Sequence, residues 1–586
     1  MTIFVAKVIW VQVITANSIR TWAVDEMENV ATLQAPRGTI TDVNGVALAK
    51  SVNAINIVVD QSAISNPAFT AKFASPILQM PVSELQTLFT GELKWKLIYR
   101  NAKPAVWTAL KNAISEHNSA LEPKDFDQRI TAFYPERAYI REYPSGSLVA
   151  SLIGFVNQEG TGATGLESSM NSIITGTNGK YSYANGYGAE IPGSQSEIIA
   201  AKAGTSIRLT IDRDIQWVAS KAIADAVKSS RASSGTVIVM DPKTGAILAH
   251  ATAPTFDLNN RDSISLAAMR NPSVQDVYEP GSTGKIMTIA AAIEEKKVTP
   301  TTVFTIPYKV KRAGTFFHDH EPHPKQRLTT SGVLAVSSNT GTIMIGEKLT
   351  NNQLHDYLTK FGIGVSTGSG LPGESRGILR PVSDWSGTTA PTVAFGQGYS
   401  VTAMQATSIF ATIANDGVRV SPTVIAGTSD PSGKFTEANA RTTERVVSAK
   451  TAQQVRLMME SVVSGHGTAP SAAIPGYRVA GKTGTAERYN VECGCYSGYT
   501  ASFIGFAPAD APEYVVSVTI QDPKGAYYGG SLGGPVFKKV MTFVLQSEHV
   551  APTGTKVLPV ALTQAELRQK ERRAKASTTQ ASLKSR

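Results

Sequence analysis

The chain has 586 residues, of which 42% are hydrophobic and 17% are charged, and its 48 glycines and 30 prolines are close to an average share. This composition excludes collagen-like, low-complexity and disulfide-scaffold proteins, and the length predicts two or three globular domains. Half of the net charge of +10 lies in residues 561–586, which carry seven basic and two acidic side chains, so the folded body is only mildly basic and we expect no nucleic-acid partner.

The first 20 residues are mostly apolar but include Lys7 and Gln12. A membrane-spanning helix needs about 20 apolar residues, so the segment is of marginal length. Three interpretations stay open: a single membrane anchor whose start is truncated or misassigned, an uncleaved signal anchor, or an ordinary buried helix. A cleaved signal peptide is the least favoured, because no small-residue cleavage pattern follows a basic start.

Residues 34–203 are predicted to form a separate domain of mixed, largely β structure. The sequence Ala-Pro-Arg-Gly at 35–38 ends any preceding helix, because proline and glycine both disfavour its continuation. After it, short apolar runs such as residues 55–59 alternate with helical stretches and with turns rich in glycine and asparagine.

Residues 205–547 are predicted to form one α+β domain. A strand at 206–211 precedes a helix that Asp212 caps, and two strands within 235–250 form a hairpin. A long region of helical stretches follows, and strands return within 500–520. Strands on both sides of a helical region indicate a sheet that joins distant parts of the chain.

The chain ends with two segments of different character. A last helix is predicted at 535–546, and residues 548–586 are expected to be a flexible basic tail. The end of this tail contains too few large apolar side chains to offset the entropy that ordering it would cost.

The two cysteines, Cys493 and Cys495, are too few for a disulfide framework and have no spaced partners for a zinc site. A bond between them would close a very short ring, which strains the geometry that disulfides prefer. In an oxidising compartment, a disulfide and a pair of free thiols therefore both stay open.

The first motif that could carry chemistry is Ser-Thr-Gly-Lys at 282–285. Ser-x-x-Lys also occurs by chance on solvated helix faces, but the apolar residues 286–293 follow, so Ser282 is expected to open a buried helix. Residues at i and i+3 share a helix face, so the Lys285 amine could take the proton of the Ser282 hydroxyl. Lys285 would need a lowered pKa, from desolvation and from a nearby cation such as Lys482. The backbone N–H of Ser282 could supply half of an oxyanion hole.

The second motif is Ser-Ser-Asn at 337–339, in a predicted turn between a helix and a loop. The Ser337 hydroxyl there could relay a proton from the attacking serine to a leaving amine. The Asn339 amide could hold a substrate carbonyl and the Lys285 amine. The alternative is that the turn only caps a helix that begins near Gly341.

The third motif is Lys-Thr-Gly-Thr at 482–485, in a segment typical of a strand. Alternation places Lys482 and Gly484 on one face and Thr483 and Thr485 on the other. Gly484 would allow a peptide substrate to dock closely on the strand edge. A surface turn is the alternative.

In this order, the three motifs resemble those of the penicillin-binding proteins. Further stretches that resemble the family are Tyr-Glu-Pro-Gly at 278–281, Asp-Pro-Lys-Thr-Gly at 241–245, Phe-Gly-Gln-Gly at 395–398 and Thr-Ala-Ser-Phe-Ile-Gly-Phe-Ala-Pro at 500–508. The second motif is Ser-Ser-Asn and not the Ser-Asp-Asn of class A β-lactamases.

The N-terminal region resembles the noncatalytic pedestal domain of class B, monofunctional members of that family. The resemblance rests on Arg-Gly-Thr-Ile-Thr-Asp-Val-Asn-Gly at 37–45 and Gly-Leu-Glu at 165–167. No pattern resembles a class A glycosyltransferase domain. The resemblance implies a short membrane helix at 1–20, a pedestal at 34–203, and a serine β-lactamase-like transpeptidase domain at 205–547 with an antiparallel sheet flanked by helices.

The resemblance also implies a D,D-transpeptidase of peptidoglycan synthesis that serves cell division or elongation. Its nucleophile would attack D-alanyl-D-alanine, release D-alanine and pass the acyl group to an amine of a neighbouring stem peptide. Carried over by motif, the catalytic residues are Ser282, Lys285, Ser337, Asn339 and Lys482, and the substrate-binding residues are Thr483, Gly484 and Thr485. Lys482 and Thr483 would bind the substrate carboxylate, and the Thr485 N–H would complete the oxyanion hole. No cofactor and no metal are expected.

The partners implied by the family are stem peptides and their lipid-linked precursor, β-lactams, a SEDS-family glycan polymerase, and proteins of the division or elongation machinery. The implied location is a single pass through the cytoplasmic membrane, with the catalytic domain outside. The chain departs from the family in one respect: the basic cytoplasmic stub that usually precedes the anchor is missing.

Two other functions stay open. A D,D-carboxypeptidase or β-lactamase would pass the acyl group to water, and a catalytically silent β-lactam sensor or scaffold would not turn over. The length and the pedestal favour transfer, and the intact motifs argue against silence.

The stretch Phe-His-Asp-His-Glu-Pro-His at 317–323 has the His-x-His pair and carboxylates of a zinc site. A fourth ligand and supporting residues cannot be located in the sequence. The stretch resembles a His-containing loop that often precedes the second motif in this family. We therefore expect no metal there.

Overall fold

The structure is a computed structural model that describes residues 28–186, 189–190, 196–260, 264, 268–490 and 493–584. The membrane helix expected at 1–20 lies outside the described residues. Within the described part of the chain, no helix is long and apolar enough to cross a membrane.

The strands form a five-stranded sheet, a seven-stranded sheet and smaller ladders. In chain order they are β1 Glu28–Leu33, β2 Ile40–Thr41, β3 Ala47–Val59, β4 Lys96–Ala102, β5 Phe133–Glu142, β6 Gly179–Gly186, β7 Ala189–Glu190, β8 Ser196–Ile199, β9 Ser206–Leu209, β10 Ser234–Met240, β11 Ile247–Ala253, β12 Val303–Ile306, β13 Lys309–Arg312, β14 Thr315–His318, β15 Gln326–Thr329, β16 Val418–Val420, β17 Ile425–Ser429, β18 Phe435–Glu437, β19 Thr443–Arg445, β20 Ala480–Asn490, β21 Cys495–Ala507 and β22 Tyr514–Gln521.

The α-helices range from single turns to segments of about six turns. They are α1 Pro67–Leu78, α2 Val82–Phe89, α3 Pro104–Ala120, α4 Ala150–Ile153, α5 Gly165–Ser169, α6 Asn171–Ile174, α7 Arg213–Ser230, α8 Pro272–Gln275, α9 Lys285–Glu294, α10 Thr330–Ala335, α11 Asn339–Gly346, α12 Asn351–Lys360, α13 Thr389–Ala394, α14 Ala403–Ala414, α15 Ala449–Val463, α16 Gly529–Ser547 and α17 Gln564–Lys584.

The C-terminal half of the chain is built on the antiparallel five-stranded sheet, in the order β11-β10-β22-β21-β20. Helices α7 and α16 contact each other and cover one face, whereas α9, α14 and α15 pack together on the other. The pairing of β10 with β22 brings distant parts of the chain together, so the predicted α+β sheet flanked by helices is confirmed.

Local signals in this half behave as predicted. The Asp212 side chain accepts hydrogen bonds from the backbone N–H groups of Asp214 and Ile215, which would otherwise lack partners at the start of α7. In the hairpin turn, Asp241 Oδ1 accepts from the backbone N–H of Lys243 at 2.7 Å. Both contacts fix the ends of elements that frame the sheet.

The pedestal is more helical than predicted. Helices α1, α2 and α3 pack against the strands between Ile57 and Phe133, around a small core of their own. Helix α1 carries Pro76 in its interior, a residue that normally argues against a helix. The prediction of a largely β domain is therefore right for the sheet and wrong for this lobe, where tertiary packing outweighs local propensity.

The two halves of the chain share one hydrophobic core, and β2 of the pedestal pairs in parallel with β9. Beside this junction, Glu167 is fully buried and accepts from Arg37 Nη2 at 2.8 Å and from Arg141 Nε at 2.7 Å. Arg37 and Glu167 belong to the two stretches that carried the pedestal resemblance, and the structure brings these stretches into contact.

The C-terminal segment differs from the expected flexible tail, because residues Gln564–Lys584 form α17. The Thr563 hydroxyl accepts from the Glu566 N–H, and the Glu566 carboxylate accepts from the Leu562 N–H, a pattern of reciprocal bonds that starts helices. The residues just before α17 pair with β15, where the Thr329 N–H donates to the Leu562 carbonyl at 2.9 Å.

Candidate active site

The first motif lies where a short turn becomes a buried helix. Residues Gly281–Gly284 form a 3₁₀ turn, and α9 continues directly from it with every residue from Lys285 to Ile293 buried. Ser282 is half-buried, and among the described residues its hydroxyl has no hydrogen-bond partner. The prediction that Ser282 opens a buried helix is therefore confirmed, and its oxygen is free to meet a substrate.

Lys285 is fully buried and turns its amine toward the second motif. Its Nζ donates to the carbonyl of Ser337, to Ser337 Oγ at 3.3 Å and to Asn339 Oδ1 at 2.7 Å. Burial lowers the pKa of Lys285 to about 7, although the charge of Asp319 acts in the opposite direction. An amine with this pKa is partly neutral at physiological pH and can serve as a base.

The second motif forms the turn between α10 and α11. Ser337 has a φ of +60°, a conformation that non-glycine residues adopt rarely, and this bend presents both its carbonyl and its hydroxyl to Lys285. Ser338 is the residue that caps α11, because its hydroxyl accepts from the Gly341 N–H at 2.9 Å. Ser338 therefore caps the helix, as the alternative predicted, whereas Ser337 and Asn339 both contact the Lys285 amine, and their roles in catalysis stay a prediction.

The third motif lies on β20, the edge strand of the five-stranded sheet, as predicted. Lys482 is fully buried, and its Nζ donates to Ser337 Oγ at 2.9 Å and to the Thr483 carbonyl at 3.1 Å. Burial, together with the charge of Lys285, holds the pKa of Lys482 well below its usual value. The Thr483 hydroxyl lies 2.9 Å from that of Thr468.

The Ser337 hydroxyl is thus the point where the motifs meet. It receives a hydrogen bond from each of two lysine amines, Lys285 and Lys482, which come from different elements. Two ammonium groups that share one hydroxyl in a buried site repel each other, so the pair carries fewer than two charges near neutral pH. A proton can therefore move between Lys285, which directly follows the turn Gly281–Gly284 (the serine turn), and Lys482 on the edge strand β20.

Gly484 lies at a point of close packing. A Cβ atom there would lie 2.3 Å from Ser502 Oγ and 2.9 Å from the Pro280 carbonyl oxygen. The absent side chain therefore allows β20 to pack against β21 and the serine turn, and the expected role of Gly484 in docking a substrate stays a prediction. The neighbouring Thr485 uses its hydroxyl to accept from the Gly529 N–H at 3.2 Å.

The histidine-rich stretch does not converge on one point. The His318 carbonyl accepts from Asn339 Nδ2 at 3.0 Å, His320 lies 2.8 Å from the Tyr528 hydroxyl, and His323 lies 2.9 Å from Asp319. Among the described residues, no group of histidine, cysteine, aspartate or glutamate side chains could hold a metal ion. The stretch instead supports the second motif, a role that sequence reasoning missed for Asp319.

The cysteines resolve the alternative that the sequence left open. Cys493 and Cys495 are joined by a disulfide at the tip of the β20–β21 hairpin. The hydroxyl of the next residue, Tyr496, donates to Glu279 Oε1 at 3.2 Å. Glu279 lies three positions before Ser282 in the sequence. Glu279 also accepts from the Gly398 N–H at 2.9 Å, so the stretches 278–281 and 395–398 are in contact.

Comparison with known proteins covers both halves of the chain. The family model described as "Penicillin binding protein transpeptidase domain" matches residues 235–542, and the one described as "Penicillin-binding Protein dimerisation domain" matches residues 32–209. Penicillin-binding protein PbpB of Mycobacterium tuberculosis is 35% identical over 94% of this chain and 83% of that protein. Peptidoglycan D,D-transpeptidase FtsI of Escherichia coli is 31% identical over 94% of this chain and 90% of that protein.

Solved structures resemble the chain over most of its length. Penicillin binding protein 3 of Mycobacterium tuberculosis, complexed with aztreonam, has a TM-score of 0.70 and 31% identity, and the match covers 91% of this chain and 100% of that one. A peptidoglycan synthetase from Bifidobacterium adolescentis has a TM-score of 0.74 and 31% identity, with coverage of 92% and 100%.

Proposed function

Because the chain belongs to the class B penicillin-binding proteins, as its motifs predicted, we propose that it is a peptidoglycan D,D-transpeptidase that works through an acyl-enzyme on Ser282. The observation that carries the proposal is that the buried amines of Lys285 and Lys482 both donate to the half-buried hydroxyl of Ser337, so that the three motifs are brought together. Relatives named as peptidoglycan D,D-transpeptidases support the choice of reaction.

In the acylation step, Ser282 Oγ attacks the carbonyl carbon of the penultimate D-alanine while Lys285, in its neutral form, accepts the serine proton. The amide C–N bond then breaks. The proton passes from Lys285 through the Ser337 hydroxyl to the leaving amine, so that D-alanine departs as a neutral amine. A base with a pKa near the working pH is suited to accept and return a proton in this way.

The negative charge that develops on the oxygen of the attacked D-alanine carbonyl needs hydrogen-bond donors to stabilise it. We assign these to the backbone N–H groups of Ser282 and Thr485, which belong to the two elements in contact across Gly484. Lys482 and the Thr483 hydroxyl would bind the terminal carboxylate of the donor peptide, and the Asn339 amide would hold a substrate carbonyl. The remaining site residue, Gly484, keeps the two elements close.

In the second step, an amine of a neighbouring stem peptide attacks the acyl-enzyme and restores Ser282. This transfer, and not hydrolysis, is proposed because a pedestal precedes the catalytic half and relatives that share both halves are named transpeptidases. β-Lactams are expected to acylate the same serine, as strained amides that mimic D-alanyl-D-alanine. A relative of known structure is complexed with aztreonam, which supports this expectation.

The proposed setting is the outer face of the cytoplasmic membrane, where peptidoglycan is cross-linked. A membrane helix at 1–20, a pedestal at 34–203, a transpeptidase domain at 205–547 and a C-terminal segment at 548–586 complete the proposed organisation. The substrates would be stem peptides and their lipid-linked precursor. A SEDS-family glycan polymerase and proteins of division or elongation are proposed as partners, on the family resemblance alone.

The experiment that tests this proposal is covalent labelling with a fluorescent penicillin. The full chain should form a long-lived adduct, and Ser282→Ala should form none. Ser383→Ala, which alters an exposed serine outside the motifs, is the matched control and should label as the wild type does. Labelling of Ser282→Ala would refute the assignment of the nucleophile, and rapid loss of the wild-type adduct would indicate a β-lactamase.

A further inference from the structure

The carboxylate of Asp319 is the centre of a buried hydrogen-bond network behind the second motif. Asp319 is 6% exposed. Its Oδ1 accepts from the Thr340 N–H at 2.9 Å, and its Oδ2 accepts from Ser338 Oγ at 2.7 Å and Thr340 Oγ1 at 3.2 Å. Its own N–H donates to the Tyr308 carbonyl at 2.9 Å, which fixes the loop that carries it.

These contacts enclose Asn339 on both sides. Ser338 and Thr340, its two chain neighbours, both bind Asp319, and the Asn339 amide donates to the carbonyl of His318, which precedes Asp319. The other end of the same amide accepts from Lys285 Nζ at 2.7 Å. A shift of the Asp319 carboxylate would therefore move the group that holds the lysine.

Asp319 also supplies a negative charge that acts on Lys285, one of the two buried lysines. The charge of Asp319 raises the pKa of Lys285, whereas burial, which is the larger effect, lowers it. Among the described residues, the other titratable groups that face this region are His318 and His323 on the same loop, Lys482 on β20, and Tyr308, whose ring packs on those of both histidines. Burial lowers the pKa of His323, but the Pro324 carbonyl and Asp319 together raise it above its usual value.

We propose that Asp319 is a positioning residue of the acyl-transfer reaction, which holds Asn339 in place against Lys285 and supplies the negative charge that balances the buried lysine pair. The proposal rests on the proposed function, because it concerns the same site. It also gives a role to the carboxylate in the histidine-rich stretch at 317–323, whose side chains do not gather around a metal.

Two substitutions separate position from charge. Asp319→Asn keeps an oxygen that can accept from Thr340, and its amide can donate to the Ser338 hydroxyl, so the geometry survives while the charge is lost. Asp319→Ala removes both. Asp42→Asn is the matched control, because Asp42 is 1% exposed and accepts from the Asn44 and Val46 N–H groups in a pedestal turn far from the motifs in sequence.

The measurement is the second-order rate constant of acylation by a fluorescent penicillin as a function of pH. Wild-type acylation should rise with pH through the pKa of Lys285, because the neutral amine is the base. Loss of a charge that raises this pKa moves the rise to lower pH, by about half a unit or more in Asp319→Asn. Asp319→Ala should also acylate about 100-fold more slowly at its plateau.

Controls and outcomes keep the proposal distinct from a general loss of stability. Asp42→Asn should keep the wild-type midpoint, and His323→Gln should not lower it. An unchanged midpoint in Asp319→Asn would overturn the charge role, and a wild-type plateau in Asp319→Ala would overturn the positioning role. If Asp319→Ala does not fold, Asp319→Asn still decides the charge role, and Ser338→Ala, which loses the 2.7 Å bond to Asp319 Oδ2, decides the positioning role by the same plateau. Absence of labelling in the wild type would count against the proposed function instead.

Discussion

At the scale of single residues, the site depends on two lysines that the fold keeps from water. Lys285 and Lys482 are both fully buried, and burial is the largest cause of the lowered pKa of each. In the unfolded chain, a lysine has a pKa of about 10.4 and is protonated at neutral pH. Folding must therefore release protons or bury charge, and either change destabilises the native state at pH 7.

The first prediction follows from this cost. Lys285→Met should raise the free energy of unfolding at pH 7 by about 1–3 kcal/mol, because it removes the cost of a depressed pKa and loses a few hydrogen bonds. The folded pKa is about 7 and the unfolded one is higher, so wild-type stability falls as pH drops from about 10 to 7. The gain in the variant should therefore shrink toward pH 10.

Urea unfolding at pH 7 and at pH 10 measures this difference, with loss of acylation as an independent sign that Lys285 has been removed. Lys243→Met is the control, since the Lys243 side chain is 56% exposed and pairs with Glu513 at the surface. A Lys285→Met protein that is less stable than the wild type at pH 7, and by the same amount at pH 10, would contradict the argument.

At the scale of elements, the cleft depends on how closely β20 approaches its neighbours. Glycines occupy the points of closest approach: a Cβ on Gly529 would lie 2.1 Å from the Ser502 carbonyl oxygen and 2.3 Å from that of Gly484. Gly484 in turn contacts the Pro280 carbonyl. The edge strand is therefore held between the start of α16, β21 and the serine turn.

The second prediction concerns this packing. Gly484→Ala should lower the free energy of unfolding by about 1–3 kcal/mol and slow acylation, because a methyl group must push the β20 backbone away from Pro280. Urea unfolding and penicillin labelling measure the two effects. Gly554→Ala is the matched control, since a Cβ there meets no atom within 4 Å. If Gly484→Ala matched the wild type in both assays, the packing argument would fail.

Elements with strong local signals could be predicted from sequence, and elements stabilised by packing could not. The helix capped by Asp212 and the β10–β11 hairpin were both predicted correctly. The last helix was predicted from Pro535, but α16 begins at Gly529, because four glycines that normally weaken a helix here allow it to lie close to β21. No rule of residue spacing in the sequence predicts that contact between α16 and β21.

The same limit applies to the site. The motifs predicted which residues would meet, and the structure brings Lys285, Ser337, Asn339 and Lys482 together. The sequence did not predict that Asp319 supports these residues. The contact joins a loop to a turn about twenty residues later, and no periodic sequence pattern connects the two. The same holds for Arg141, which completes the buried cluster with Arg37 and Glu167.

At the scale of the whole molecule, part of the pedestal shares the core of the C-terminal half, whereas the helical lobe of the pedestal keeps a small core of its own. The parallel pairing of Ile40 with Ile207 and the buried contacts of Glu167 lie where the two halves meet. Part of the net positive charge of the chain lies on the exposed surface of α17, which continues from residues paired with β15. The two lysines of the motifs, Lys285 and Lys482, are by contrast fully buried.

The central claim is that the whole chain transfers an acyl group from one stem peptide to another through Ser282. The most direct test is to incubate the full chain with a synthetic donor that ends in D-alanyl-D-alanine and an acceptor that carries a free amine, and to quantify products by mass spectrometry. We predict D-alanine and an amide-linked dimer in equal amounts, both absent with Ser282→Ala. Release of D-alanine with only the shortened donor would indicate a carboxypeptidase, and labelling by penicillin without any release would indicate a silent sensor; either result would contradict the claim.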